Sequence, residues 1–158
     1  MKLYISGPMR RHKNYNFPAF LEAHGELECR DHEVVNPALL DLQEGLFEAF
    51  DEEYCKLSDT TCDEFYVGGR DWSAYTFIPC GEFVYVEAIR RDVRELSGCD
   101  GIVMLPGWTD SEGALEEKYV AEKILRLPVY DYAPDHPSGI TLQKGARWQE
   151  LTTSTKAK

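Results

Sequence analysis

The run Asp100-Gly101-Ile102-Val103-Met104-Leu105-Pro106-Gly107 constrains this chain more than any other segment. Its apolar residues are consecutive instead of alternating, so a strand here has no face suited to water and must be covered on both sides. Helices on both faces of a parallel sheet provide that cover, because parallel neighbours are joined by crossover connections. Pro106-Gly107 then opens an exit loop. A second β-prone run, Lys2 to Ser6, ends in Gly7-Pro8 and reads as a buried first strand that also feeds a loop.

The segments between these runs alternate as such a sheet requires. Phe17, Phe20, Leu21 and Leu27 fall near helical spacing, which predicts a helix from Phe17 to Cys29, with Asn16 as cap and Pro18 in the first turn. Glu33-Val34-Val35-Asn36-Pro37 reads as a short strand stopped by a proline that cannot donate to a ladder. Helices are expected from Glu87 to Leu96 and from Glu112 to Leu125, and a last short strand from Pro128 to Tyr132. The fold class is therefore α/β: a doubly wound, flavodoxin- or Rossmann-like parallel sheet of about five strands. Residues 1–150 are read as one domain and 151–158 as a frayed tail. Residues 41–80 are read as an insertion. Their Phe65, Tyr66, Trp72, Tyr75 and Phe77 suggest a partly helical surface excursion packed by its own aromatics, with a substrate lid as the competing reading.

Charge narrows the partners. Twenty-eight acidic against seventeen basic side chains leave a net charge of -11, which repels polyanions, so neither nucleic acid nor an anionic membrane is expected as a partner. A phosphorylated small molecule stays open, because one pocket of backbone N–H groups with an arginine binds an anion whatever the global charge. No apolar stretch is long enough for a signal peptide or a membrane span, and a cytoplasmic protein is expected. Cys29, Cys55, Cys62, Cys80 and Cys99 are odd in number and irregularly spaced, which fits reduced thiols better than disulfides. Cys55, Cys62 and Cys80 lie in one segment, so a shared metal stays open as the minor reading, but they lack the paired spacing of structural zinc ligands and no metal is expected. No cofactor is expected either.

In open parallel sheets ligands bind at the carboxyl ends of the strands, near the point where strand order reverses. That rule directs attention to Ser6-Gly7-Pro8-Met9-Arg10 and to the loop from Pro106 to Ala114. The second loop leads into a helix N-terminus, where unpaired N–H groups favour an anion. There Ser111 adds a hydroxyl and Gly113 allows close approach to the backbone. Gly7 and Arg10 contribute from the first loop, Arg10 with a fork suited to phosphate. Each residue also has a plain structural reading, Ser111 as an N-cap and Gly7-Pro8 as a turn. Asp110, Glu112 and Glu116 crowd the second loop with acid that opposes phosphate. Glu117, four residues after Gly113, sits about one helical turn into the helix and near the same cleft, although a first-turn glutamate taken alone is more often a surface residue that complements the helix dipole.

The strings Tyr4-Ile5-Ser6-Gly7-Pro8-Met9, Asn16-Phe17-Pro18-Ala19-Phe20, His32 to Pro37, Arg91-Asp92, Cys99-Asp100, Leu105-Pro106-Gly107-Trp108 and Ser111-x-Gly113-Ala114-x-x-Glu117 resemble, in that order, the nucleoside 2-deoxyribosyltransferase-like family. The likeness covers residues 2–40 and 88–132. It implies that Glu117 is the nucleophile that attacks the anomeric carbon. It implies that Asp92, with Asp100 as the substitute, helps protonate the departing base. Ser111 stands where the branch acting on nucleoside 5'-monophosphates has its phosphate-binding serine, Arg10 resembles that branch's phosphate-binding arginine, and Tyr4 resembles the tyrosine near the sugar. The resemblance further implies a homodimer or higher homo-oligomer, for which Trp72, Tyr75 and Trp148 are candidate interface residues and equally candidate core.

The residue types suit the chemistry. An N-glycosidic bond breaks through an oxocarbenium-like state that a carboxylate stabilises and can trap, while a second carboxyl of raised pKa supplies the leaving base with a proton. Three readings follow. They are an N-glycosidase acting on a (deoxy)nucleoside 5'-monophosphate, a deoxyribosyltransferase exchanging bases on free nucleosides, and a non-catalytic nucleotide-binding or sensing module.

Overall fold

The protein, seen in a computed structural model, is described over residues 1–51, 71–81 and 85–143, apart from the side chain of Tyr85. Its strands are β1 (Lys2–Ser6), β2 (Glu33–Val35), β3 (Phe47–Phe50), β4 (Thr76–Pro79), β5 (Gly101–Met104), β6 (Val129–Tyr132) and β7 (Ile140–Leu142). Its helices are α1 (Phe17–Glu28), α2 (Pro37–Gln43), α3 (Tyr85–Ser97) and α4 (Glu112–Tyr119), and one π-helical turn over Val120–Ile124 prolongs α4. Five strands form one sheet in the order β2-β1-β5-β6-β7. Pairing is parallel from β2 through β6, and β7 closes the edge antiparallel to β6. This is the α/β sheet expected from the apolar runs, and β5 holds its centre with all four residues buried.

Side-chain alternation divides the core in two. Leu3, Ile5, Val103 and Leu105 point to the face covered by Phe17, Phe20 and Leu21 of α1. Tyr4, Ile102 and Met104 point to the opposite face and meet Leu96 of α3 and Ala114 of α4. The period of two along β1 and β5, with helices on each side, is the physical content of a doubly wound sheet.

Two local readings change. Pro37 opens α2 instead of merely stopping a strand: β2 ends at Val35, and the Asn36 side chain caps the helix by accepting from the Ala38 N–H. Asn16 precedes α1 in a left-handed conformation and makes no side-chain cap. Its Nδ2 donates to the Pro8 carbonyl at 2.8 Å and thereby ties the start of α1 to the loop after β1. That loop is strained, with Asn14, Tyr15 and Asn16 at φ 52, 52 and 59. Such backbone costs about 1–3 kcal/mol per residue and persists only where surrounding contacts hold it. Here Asn14 Nδ2 donates to the Tyr75 carbonyl, and the Tyr15 ring packs edge-on against Phe47 at 4.9 Å.

The described part of residues 41–80 differs most from expectation. β3 and β4 pair antiparallel as a second, two-stranded sheet, and Phe47, Ala49, Trp72 and Phe77 are buried in the same core as α1. Phe47, Trp72 and Phe77 complete the main core, where a partly helical surface excursion packed by its own aromatics is the expectation. Trp72 is core, with Tyr75 packed on it at 5.2 Å. Cys55, Cys62, Phe65, Tyr66, Trp148 and the C-terminal tail lie outside the described residues.

Gly7 is explained by packing. A Cβ there would stand 2.8 Å from the Leu105 Cβ, because the chain leaves β1 and β5 side by side at the Ser6–Leu105 backbone bond.

Candidate functional site

Strand order reverses between β1 and β5: the chain runs outward to β2 on one side and to β6 on the other. A cavity of about 780 Å³ opens there, within the size range of small-molecule sites. Its walls include Gly7 and Arg10 from the loop after β1 and Ser111 and Gly113 from the loop after β5. Asp41, Arg91 and Asp92 come from α2 and α3, and Glu117 from α4. Tyr15, Phe47 and Pro79 supply apolar wall, so the small second sheet shapes the cavity as well as the core.

Glu117 is 8 % exposed although it borders the cavity. The helical turn from Ser111 carries it back over the end of β1. There Tyr4 Oη donates to Oε1 at 2.8 Å and Ser6 Oγ donates to Oε2. Tyr4 is fully buried and reaches the site through Glu117. Burial raises the Glu117 pKa to about 7, the two hydroxyls oppose that rise, and the negative charge of Asp92 adds to it. Two hydroxyl donors on one carboxylate fix its direction, while a near-neutral pKa leaves the ionised form accessible. Burial likewise raises the pKa of Tyr4, and the neighbouring Glu117 charge adds to that, so the phenol stays a donor.

Asp92 is 7 % exposed, and both of its ion-pairing bonds fall on one oxygen: Arg91 Nε and Nη2 donate to Oδ1 at 2.9 and 2.7 Å. Burial raises its pKa and Arg91 pulls it back. The same guanidinium lies 2.8 Å from Asp41 Oδ1 and donates to Glu44 Oε2 at 2.9 Å. Asp41 is 3 % exposed, and burial lifts it to about 6 against the pull of Arg91. Burial disfavours the Arg91 charge, yet Asp92 and Asp41 hold it more firmly protonated than usual.

Ser111 is the N-cap of α4: its Oγ accepts from the Ala114 N–H at 3.3 Å. The hydroxyl proton is not used in that bond, so a cavity-lining cap still has a donor to offer. Arg10 is exposed where the loop after β1 meets the cavity, alongside Arg11 and His12. Asp100 is set apart, since its carboxylate accepts from the Lys2 backbone N–H at the opposite end of the sheet.

The structure thus brings Gly7, Arg10, Asp92, Ser111, Gly113 and Glu117 to one cavity, with Tyr4 beneath it. Sequence reasoning gave no site role to Ser6 and Arg91, which lie in the strings it singled out, and passed over Asp41. Asp41 carried a signal, a carboxylate amid Ala38, Leu39 and Leu42, where an exposed helix face would have been polar throughout. Among the described residues no group of three or more His, Cys, Asp or Glu is placed to hold a metal ion.

The buried acid has a measurable consequence for stability. Because the folded-state pKa of Glu117 lies above the ordinary glutamate value, the native state holds the proton more tightly than the unfolded chain. Stability is then lost as pH rises from about 4.3 towards 7. Glu117→Gln removes that loss but leaves one hydroxyl without its acceptor, which costs about 1 kcal/mol. The variant is expected to be more stable than wild type by about 1–3 kcal/mol at pH 8. Below pH 4 that advantage disappears. Urea melts at both pH values check this, and an advantage independent of pH would contradict a raised Glu117 pKa.

In comparison with known proteins, a family model described as a domain of unknown function (DUF4406) matches residues 1–74 and 69–131. No curated protein and no solved structure matches the chain.

Proposed function

From the premise that the chain belongs to the DUF4406 family, whose description assigns no activity, we propose that it hydrolyses the N-glycosidic bond of a (deoxy)nucleoside 5'-monophosphate. The observation that carries this reading is the Glu117 carboxylate, buried at the cavity and oriented by the Tyr4 and Ser6 hydroxyls. The resemblance to the nucleoside 2-deoxyribosyltransferase-like family, which rests on the sequence strings, supports it independently. A structural carboxylate has no need of burial beside a second acid, which costs stability.

In the proposed reaction the Glu117 carboxylate forms a bond to C1' of the sugar as the C1'–N bond to the base breaks. The electron pair of that bond leaves with the base, and the proton it needs comes from Asp92. Water then attacks C1' as the C1'–Oε bond to Glu117 breaks, which frees the Glu117 carboxylate and the sugar phosphate, and the proton lost by the water returns to Asp92. The 5'-phosphate is assigned to the N-terminus of α4, the Ser111 hydroxyl and Arg10. The apolar wall of Tyr15, Phe47 and Pro79 is suited to the planar base.

The test is chromatographic detection of free base after incubation with ribo- and deoxyribonucleoside 5'-monophosphates and with the matching nucleosides. Release from monophosphates alone is expected. Efficient formation of a new nucleoside from an added base would replace hydrolysis by transfer. Tight nucleotide binding without turnover would replace both by sensing.

A further inference from the structure

We propose that Arg91 and Asp41 form a positioning clamp that fixes the Asp92 carboxyl through Oδ1 and leaves Oδ2 to carry the proton delivered to the departing base. The clamp rests on the reading of Asp92 as proton donor, and its argument is geometric. Arg91 Nε and Nη2 both address Asp92 Oδ1, and two donated N–H bonds leave that oxygen a poor site for a proton. Nη2 also lies 2.8 Å from Asp41, and Nη1 donates to Glu44, so one positive charge is divided among three carboxylates. These come from α3, from α2 and from the residue that ends α2.

Division of that charge matters because an arginine serving Asp92 alone would hold it ionised, and an ionised carboxylate gives no proton. Asp41 shares Nη2 with Asp92 and so competes for the guanidinium, and the two carboxylates repel one another when both are ionised. The other charges facing Asp92 are Glu44 beside Asp41 and Glu95 on its own helix, with Glu117 and the Tyr4 hydroxyl across the cavity floor. Neutralising Asp41 therefore lowers the proton affinity of Asp92, and removing Arg91 raises it. A pair that merely braces α2 against α3 would leave kcat unchanged in Arg91→Lys, which keeps the charge and loses only the fork.

The experiment is carboxyl ¹³C NMR titration of the full chain carrying labelled aspartate. A Glu117→Gln background removes coupling to Glu117, and the Asp92 signal is assigned by its loss in Asp92→Asn. Asp41→Asn is expected to move the Asp92 titration down, and Arg91→Met to move it up, each by about one pH unit. In the otherwise wild-type chain, Arg91→Lys keeps the charge but loses the fork, and is expected to lower kcat about tenfold or more with KM little changed. An Asp92 titration unmoved or raised by Asp41→Asn overturns the clamp, even if Arg91→Met fails to fold. Base release by wild type without the opposed shifts overturns the clamp alone. Opposed shifts without base release from any substrate overturn the proposed function alone.

Discussion

Glu117→Gln is expected to lower base release by at least about 10³-fold, the scale on which nucleophiles and charge-stabilising groups act. Glutamine keeps the shape and the burial, so the fold and the cavity survive. What it lacks is the negative charge needed as C1' becomes cationic and the oxygen that would bond to it. Because the loss is confined to the chemical step, KM should change little and kcat should carry the effect. Tyr4→Phe and Ser6→Ala orient the same group less directly, since each removes one donor to the carboxylate. Chromatographic assay of all three on a monophosphate substrate checks the ranking. Activity within tenfold of wild type in Glu117→Gln would remove Glu117 from the mechanism.

For stability, Phe17→Ala is expected to cost about 3–5 kcal/mol, the range for emptying a buried aromatic site. Phe17 is fully buried at the start of α1, where its ring lies 4.8 Å from that of Phe47 and stacks on that of Phe77 at 4.7 Å. It is one of the side chains through which the two-stranded sheet joins the core of the larger one. Aromatic pairs add about 0.5–1.5 kcal/mol beyond the burial of their area, so Phe17→Leu should cost less but not nothing. Since Phe47 also lines the cavity, loosening this cluster should raise KM in the folded fraction before it lowers kcat. Urea denaturation followed by circular dichroism gives the stability figure. A loss below about 1 kcal/mol would mean that the cluster repacks freely and that Phe17 does not hold the two sheets together.

The structure also shows where a site of this kind opposes stability. Glu117, Asp92 and Asp41 are three carboxylates removed from water, only the last two of them in contact with the Arg91 guanidinium, and burial raises the pKa of each. A chain selected for stability alone would place apolar side chains there. The presence of buried acids at the point where strand order reverses is the physical reason to read the cavity as a candidate site.

The legible part of the fold was the part that local pattern determines. Consecutive apolar residues in β5 and in β1 mark strands without a wet face, and the 3.6-residue spacing of Phe17, Phe20, Leu21 and Leu27 marks α1. Glu117, Asp92, Ser111 and Arg10 were legible as candidates because the exit loops of buried parallel strands are where ligands bind and because the strings around them resemble a known family. β7 was missed, since Ile140-Thr141-Leu142 is three residues long and becomes a strand only by pairing with β6. β3 and β4 were missed for a related reason: Phe47-Glu48-Ala49-Phe50 finds its partner far along the chain, and four residues of alternation do not stand out locally.

By itself, then, the sequence determined the layered α/β plan, the central place of β5 and the loops that meet at the switch point, because burial on both faces and helical periodicity are written into short stretches. Only the tertiary structure decided what Glu117 touches and what Asp41 does. Tyr4 and Ser6 reach Glu117 across more than a hundred residues of chain, and Asp41 acquires Arg91 only when α3 packs beside α2. Contacts of that span have no local signature, since their energies depend on burial and direction, which exist only once the sheet has brought distant residues to one edge.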